Sequence, residues 1–343
     1  MRGTSQGKRQ FDARGPLVSV VIPCYNGENF LRDAVKSVVD QTYRDLELII
    51  IDDGSTDGSA RLAQELEEEY GDHLHIKCLR NEGNRGIPYT RNRGVREARG
   101  RYIAFLDQDD LWLPEKIEKQ VKVATALGEP ALVFTNILVS GEQGTFLDEW
   151  PGRYVPRDLD SLGREEVVKA LFMVNFIPFV TVLVEKSSLE EVGLFDESLT
   201  GGADDYDLVL RLAGRIRTLY IDEPLAIRRE HGMNYSDPER LARDELRLCQ
   251  KALGLYPYLK PYWKKKVSLV YTGLGNACMR TGDGKRALSF FLHAVRVDRG
   301  NLNAMAKAAL VFLDSKLGLT LYPKASRLRR KWLGWDIRSG RGR

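Results

Sequence analysis

Long hydrophobic runs, paired cysteines and a strong net charge are all missing from this 343-residue chain. No stretch approaches the ~20 apolar residues that a membrane-spanning helix needs. The longest candidate, residues 171–184, is interrupted by Asn175 and Pro178. Residues 1–14 are polar and lack the apolar core of a secretory signal. Cys24, Cys78, Cys249 and Cys278 are scattered, which excludes the close pairs of zinc and redox motifs and suits inert thiols in a reducing cytosol. Lys and Arg number 52 against 48 Asp and Glu, and a balance of +4 is too small to argue for nucleic acid. A soluble or peripheral cytoplasmic protein is expected. At 43% hydrophobic and 29% charged the chain is ordinary globular material, long enough for one large domain plus an appendage.

What the chain does have is an unusual acidic turn. Residues 102–106 are a short apolar run after Gly100, read as a buried parallel strand, and Asp107-Gln108-Asp109-Asp110 follows directly. Carboxylates crowded at a strand's end shift toward their neutral forms unless a cation sits among them. A hard divalent ion with a phosphate ligand is the usual resident; a solvated turn ahead of a helix with Pro114 at its start is the plain alternative.

Two earlier segments have the same build. Residues 18–22 lead into Pro23-Cys24-Tyr25-Asn26-Gly27, and residues 46–51 lead into Asp52-Asp53-Gly54-Ser55-Thr56-Asp57. Helical patterns near 28–39, 57–69 and 88–98 alternate with strands 17–22, 46–51, 74–79 and 102–106, followed by a helix at 114–126 and a strand near 131–138. Such alternation predicts an α/β fold with a mainly parallel sheet flanked by helices. Ligands then bind beyond the carboxyl ends of the strands, where these loops converge. Residues 140–160 read as a long surface loop, and 179–184 as a further strand.

The order Pro-x-Tyr-Asn, Asp-Asp-Gly-Ser-x-Asp, Asn-x-Gly…Arg-Asn-x-Gly, Asp-x-Asp-Asp resembles the inverting family-2 glycosyltransferases of GT-A fold over roughly residues 17–235. That resemblance implies a nucleotide-sugar donor, a UDP-sugar by preference, with dTDP sharing the imide edge and GDP left open. It implies a Mn2+ or Mg2+ cofactor and a glycan or lipid-linked glycan acceptor, with envelope polysaccharide synthesis as the setting by analogy. Pro23, Tyr25 and Asn26 fall at the nucleotide site, where Tyr25 can stack on the base or simply pack on the next helix. Asp53 matches the carboxylate that accepts the uracil imide N–H. Asp52 and Asp57 suit the turn and the helix cap, and Gly54 leaves the backbone room to approach a ligand. Asn81, Gly83, Arg85, Arg91 and Asn92 fall along the nucleotide and diphosphate, where Arg85 or Arg91 can pair with phosphate or line a solvated helix face.

In the acidic turn the resemblance implies that Asp107 contacts ribose or metal and that Asp109 ligates the metal, with Asp110 orienting the loop. His231 occupies a place where relatives carry a similar His-containing stretch, which makes it a metal or phosphate ligand or a structural imidazole. An inverting transferase needs a carboxylate to take the proton of the attacking hydroxyl. The family usually has Glu-Asp here with the second residue as base. This chain has Asp204-Asp205, so Asp205 is favoured and Asp204 stays open. Competing readings are a catalytically degenerate domain acting as a scaffold and an aspartate-dependent phosphatase using Asp107 and Asp109. A dinucleotide-binding dehydrogenase is disfavoured because the first strand leads into Pro23-Cys24-Tyr25-Asn26 rather than G-x-G-x-x-G.

The expected organisation is a disordered lead (1–16), the transferase domain (17–235), a helical extension (236–316) and a basic tail (317–343). Within the extension, Leu274-Gly275, Ala287, Phe291 and Ala294 sit at tetratricopeptide spacings, as either a capping hairpin or part of a peptide-binding array. Eight Lys and Arg crowd residues 324–343 against the single acid Asp336, with Trp332 and Trp335 among them. Such a tail suits an anionic membrane surface, or else a last helix packed on the protein.

Overall fold

The computed structural model describes residues 15–140, 146–149, 155–231 and 237–317. Most of the lead (residues 1–14) and the basic tail beyond Leu317 lie outside them. Two compact units result, one within residues 1–200 and 204–235, the other within 201–203 and 236–343.

The first unit opens with the expected alternation. It runs β1 (Val18–Cys24), α1 (Leu31–Val39), β2 (Leu46–Asp52), α2 (Ser59–Tyr70), β3 (His75–Arg80), α3 (Ile87–Glu97) and β4 (Tyr102–Phe105). Every residue of β1, β2 and β4 is buried, which is why these runs are mostly apolar without alternation; the buried exceptions Ser19 and Glu47 hydrogen-bond each other. Helix α1 buries Leu31, Ala34, Val35 and Val38, one stripe at helical spacing. Strands β3, β2, β1 and β4 lie side by side and parallel, with Val18 opposite Leu46 on one flank and Tyr102 on the other. Helix α3 crosses this half closely. A Cβ on Gly94 would lie 2.4 Å from Val21 Cγ1 and 2.9 Å from Ile51 Cδ1, so only glycine allows that approach.

Beyond β4 the sheet becomes mixed. Here come β5 (Leu111–Trp112), α4 (Lys116–Leu127), β6 (Ala131–Ser140), β7 (Phe146–Glu149), α5 (Arg164–Met173), β8 (Leu183–Glu185), α6 (Lys186–Glu191), α7 (Asp204–Ala213) and β9 (Arg217–Arg229). The full order is β3-β2-β1-β4-β8-β6-β9-β5, with β7 on β6. Strand β8 is antiparallel to both neighbours, while β6 and β9 are parallel to each other. Two local expectations change. The strand expected at 179–184 is a 3₁₀ turn at Phe179–Thr181 followed by the short β8. Pro178 causes this, because its carbonyl accepts both the Thr181 N–H (2.9 Å) and the Thr181 hydroxyl (2.7 Å). The loop expected at 140–160 contains β7, which pairs with the end of β6.

The second unit is helical: α8 (Pro238–Leu255), α9 (Trp263–Arg280), α10 (Gly284–Val297) and α11 (Leu302–Leu317). Asp237 caps α8 by accepting the N–H groups of Glu239 and Arg240, with Pro238 at the first position. Ala287, Phe291 and Ala294, the residues at repeat spacing, are fully buried on α10, and the Phe291 ring lies where a side chain on Gly275 of α9 would stand. Among the described residues no helix is long and apolar enough to cross a membrane. All four cysteines are free; burial pushes the Cys24 and Cys249 thiols up to about 12, which keeps them unreactive.

Candidate active site

Four loops meet at the carboxyl ends of the parallel strands, and side chains stitch them together. After β1, Asn26 takes a left-handed conformation that asparagine tolerates (φ 50°). Its Oδ1 accepts the Thr56 N–H (2.9 Å) and its own N–H donates to Ser55 Oγ (3.0 Å). Asn26 therefore joins the first loop to the second. Tyr25 remains 42% exposed on the rim, free to receive a flat ligand, just beyond the buried Pro23. Gln108 clasps the Tyr25 backbone at both ends, accepting its N–H (2.8 Å) and donating to its carbonyl (3.1 Å). Gln108 lay within the acidic motif but carried no assignment from sequence.

Asp53 is buried and already engaged. Its Oδ1 accepts from Asn81 Nδ2 (2.6 Å) and the Arg85 N–H (2.9 Å), and its Oδ2 from the Gly86 N–H (2.8 Å). One carboxylate thus fixes the loop between β3 and α3; a further donor would find one lone pair left of about four. Gly54 makes a close approach, but to this chain: with φ at 72°, its Cβ would lie 2.6 Å from the Gly83 backbone. Asp52 accepts from the Ser55 N–H and pairs with Arg80 (3.1 Å). Asp57 accepts the Ser59 N–H (3.0 Å) at the start of α2, so both acids do serve the turn. The exposed Arg85 guanidinium lies 4.3 Å from the centroid of the Tyr89 ring.

Arg91 lies deeper than a solvated helix face would put it. Its side chain is 5% exposed, and its two terminal nitrogens are taken by Asp107 Oδ1 (2.7 Å) and Asp204 Oδ2 (2.9 Å). The rings of Phe179 and Phe195 flank it, centroids 4.8 and 5.6 Å away. Two carboxylates hold its pKa above the usual arginine value despite burial. Asn92 locks the next turn, exchanging hydrogen bonds with the Phe195 backbone at 2.9 and 3.0 Å.

The acidic turn brings Asp109 to His231, with Oδ2 3.1 Å from Nε2 across 122 residues of sequence. His231 stacks on Phe30 (4.3 Å, 19°), whose ring also carries the Arg229 guanidinium at 5.2 Å. Arg229 donates to the Asp109 carbonyl, and its N–H donates to Asp110 Oδ1 (3.0 Å). Asp110 thus orients the turn as expected. Phe30 and Arg229 had no assignment from sequence; the only signal was the place of Arg229 two residues before His231. Burial and then the Asp107 charge push the Asp109 carboxyl up, and the same causes with Asp109 push Asp110 well up. Negative charge is crowded here. Among the described residues no group of three or more His, Cys, Asp or Glu side chains converges on one metal-sized point.

At the start of α7, Asp204 is buried on Arg91, and Asp207 pairs with Arg211 (2.6 Å). Asp205 is half-buried and accepts the Tyr206 N–H (2.5 Å). Burial first, and then the adjacent Asp204 charge, push its carboxyl up to about 7. Such a carboxyl can hold or release a proton at neutral pH.

Comparison with known proteins decides the family. The Glycosyl transferase family 2 model matches residues 19–172. A glycosyltransferase of Methanocaldococcus jannaschii is 32% identical over 256 residues, spanning 73% of this chain and 81% of that protein. The chain belongs to glycosyltransferase family 2. An uncharacterized glycosyltransferase of Rickettsia typhi is 31% identical over 216 residues, 62% of this chain and 63% of the relative's own length. Among solved structures, Staphylococcus aureus TarS 1–349 in complex with UDP superposes with a TM-score of 0.57 at 18% identity, over 88% of this chain and 92% of that one. The mannosyltransferase PcManGT of Pyrobaculum calidifontis, in complex with GDP-Man and Mn2+, gives 0.56 at 20% identity over 96% and 90%. At these identities the likeness concerns the fold, a GT-A type sheet flanked by helices with a helical C-terminal region.

Proposed function

We propose that this protein transfers a sugar from a nucleotide-diphosphate donor, a UDP-sugar by preference, to a hydroxyl of a glycan or lipid-linked glycan in one inverting displacement. The observation that carries this reading is Asp205, a half-buried carboxyl poised near neutrality at the start of a helix and tied through Asp204 and Arg91 to Asp107. Asp205 takes the proton of the acceptor hydroxyl as its oxygen attacks the anomeric carbon. Tyr25 offers a face to the base, and Asp53 and the loop it fixes border the nucleotide.

The acidic turn offers oxygen and nitrogen donors to a divalent cation. Burial and neighbouring charge push the Asp109 and Asp110 carboxyls up, and Asp109 Oδ2 lies 3.1 Å from His231 Nε2. Asp109 and His231 would hold Mn2+ or Mg2+, with Asp107 turning its oxygen not paired to Arg91 toward it and donor phosphates supplying the ligands that the protein does not gather by itself, as hard ions of this kind accept. Bound there, the ion would hold the diphosphate and offset charge as the glycosidic bond breaks. The TarS complex with UDP and the PcManGT complex with GDP-Man and Mn2+ support a nucleotide-sugar and metal reading for the family. A basic tail meeting an anionic membrane, as the sequence of residues 324–343 suggests, would suit a lipid-linked acceptor. Truncation at residue 323 should then abolish binding to anionic liposomes.

Thermal shift against UDP, dTDP and GDP, each with and without manganese, tests the donor. A ligand at about one hundred times its Kd adds ~2.7 kcal/mol of stability. No shift with any nucleotide and metal would reject the reading. NMR of the product tests the displacement, since a retained anomeric configuration would exclude a single step.

A further inference from the structure

The geometry points to Arg91 as the positioning residue that commits Asp204 to an ion pair, leaves Asp205 as the carboxylate available for proton transfer, and ties that choice to Asp107 on the donor side. This deepens the transferase reading and rests on Asp205 being the base.

Three aspartates occupy the first turn of α7, and two of them have a buried cation. Asp204 holds Arg91 at 2.9 Å, and Asp207 holds Arg211 at 2.6 Å. Asp205 makes no ion pair among the described residues; its carboxylate accepts only the neighbouring Tyr206 N–H (2.5 Å). Adjacent carboxylates do not both ionise readily. Burial pushes Asp204 up as well, but the Arg91 charge and hydrogen bond hold that rise down, so the proton goes by preference to Asp205, which has no such pair. The charged groups that face this pair are Arg91 from α3, Asp107 from the acidic turn, and the two aspartates themselves. Remove the guanidinium and the charge that favours ionised Asp204 over Asp205 is lost.

Arg91 is also built to stay. Its flat guanidinium is flanked by Phe179 and Phe195, whose rings meet edge to face at 5.5 Å. Its Nε is buried without a hydrogen-bond partner, a cost that the two carboxylates offset. The Asn92 exchange with the Phe195 backbone, and the close approach at Gly94, fix the turn of helix that follows Arg91. A mobile side chain waiting for phosphate would show none of this. The bridge spans two carboxylates 97 residues apart in sequence, one in each acidic cluster.

The experiment needs no substrate. The full chain and its Arg91→Met, Arg91→Lys and Arg91→Met/Asp204→Asn variants are unfolded by heat from pH 4.5 to 8.5. Without Arg91, Asp204 is a buried carboxylate with no cation, so its folded pKa lies above its unfolded value near 3.9 and the penalty grows as pH rises. The Tm deficit of Arg91→Met should therefore widen toward pH 8.5 and narrow toward pH 4.5. Adding Asp204→Asn should recover most of the deficit at high pH, and Arg91→Lys should fall between. A deficit of equal size at every pH, or a double variant no more stable than Arg91→Met, would overturn the inference.

Infrared difference spectra then follow the protonated carboxyl directly. The band that Asp205→Asn removes should titrate near pH 7 in the parent, move to higher pH in Arg91→Met, and move back in the double variant. An unmoved band overturns the proposal. If the band and the Tm series behave as described while Asp205→Asn retains full turnover, the base assignment fails and the hold of Arg91 on Asp204 stands.

Discussion

Two acidic clusters of similar composition do different things with their charge. The turn Asp107-Gln108-Asp109-Asp110 gathers three carboxylates beside one imidazole and two guanidiniums, Arg91 on the Asp107 carboxylate and Arg229 on the Asp109 carbonyl, and two of the three carboxyls are pushed toward neutrality. The α7 cluster spends two buried arginines on two of its aspartates and leaves the third alone. Among the described residues the Asp109 and Asp110 carboxylates meet an imidazole and a backbone N–H rather than a guanidinium, which suits a cation that would come and go with a donor. The helix start is compensated except at one position, which suits a proton that comes and goes instead. The number of carboxylates is equal; the placement of arginine separates the roles.

The sharpest way to break this contrast is to remove a structural pair. Arg211→Met removes the buried cation that pairs with Asp207, and breaking a buried pair costs on the order of 3 kcal/mol or more. Urea denaturation should show that loss, while the pH profile of turnover keeps its shape; a moved profile would mean that the two ion pairs of α7 are not separate devices. Asp205→Asn comes next. Turnover should fall ~100-fold or more, about 2.7 kcal/mol of barrier, with nucleotide affinity by calorimetry unchanged. A crippled Asp204→Asn beside an active Asp205→Asn would reverse the assignment.

Acidity provides the third test. The base works deprotonated, and its folded pKa is raised to about 7, so kcat/KM should be level above that pH and fall about tenfold per unit below it. The limb belongs to the Asp204–Asp205 pair rather than to one atom. A limb near pH 4 would mean that the environment of Asp205 does not control the reaction. The smallest effect is expected in the other cluster. Asp109→Asn should weaken manganese-dependent nucleotide binding by at least the ~10-fold seen when a ligand's supporting partner is lost, while metal-free binding stays the same. Full activity in EDTA would take the metal out of the reading.

The sequence carried the parallel half of the sheet plainly, because β1, β2 and β4 are buried on both faces and so are written as mostly apolar runs, broken only by Ser19, Glu47 and Asp52. Strand β9 was hidden. It spans Arg217–Arg229 with Glu223-Pro224 in its middle, and its pairing with β6 shifts register at that point. Strand β8 has only three residues, below the length at which a pattern can be read. At the site, the clustering of acids was visible, but their division of labour was not. Choosing between Asp204 and Asp205 depends on an arginine 113 residues away, and Asp109 meets His231 across 122. Asp53 taught a different lesson: its residue type suggested a ligand contact, while three donors of its own loop already surround it.

The close approach of α3 to the sheet has a consequence for the chemistry. Arg91 lies one turn before Gly94, so the depth at which the guanidinium sits is set by how nearly a bare Cα can settle against Val21 and Ile51. A single methyl there would act as a wedge, lifting the helix and drawing the cation away from both aspartates without touching a polar atom. The strength of a buried ion pair is then set partly by the thickness of a hydrocarbon contact.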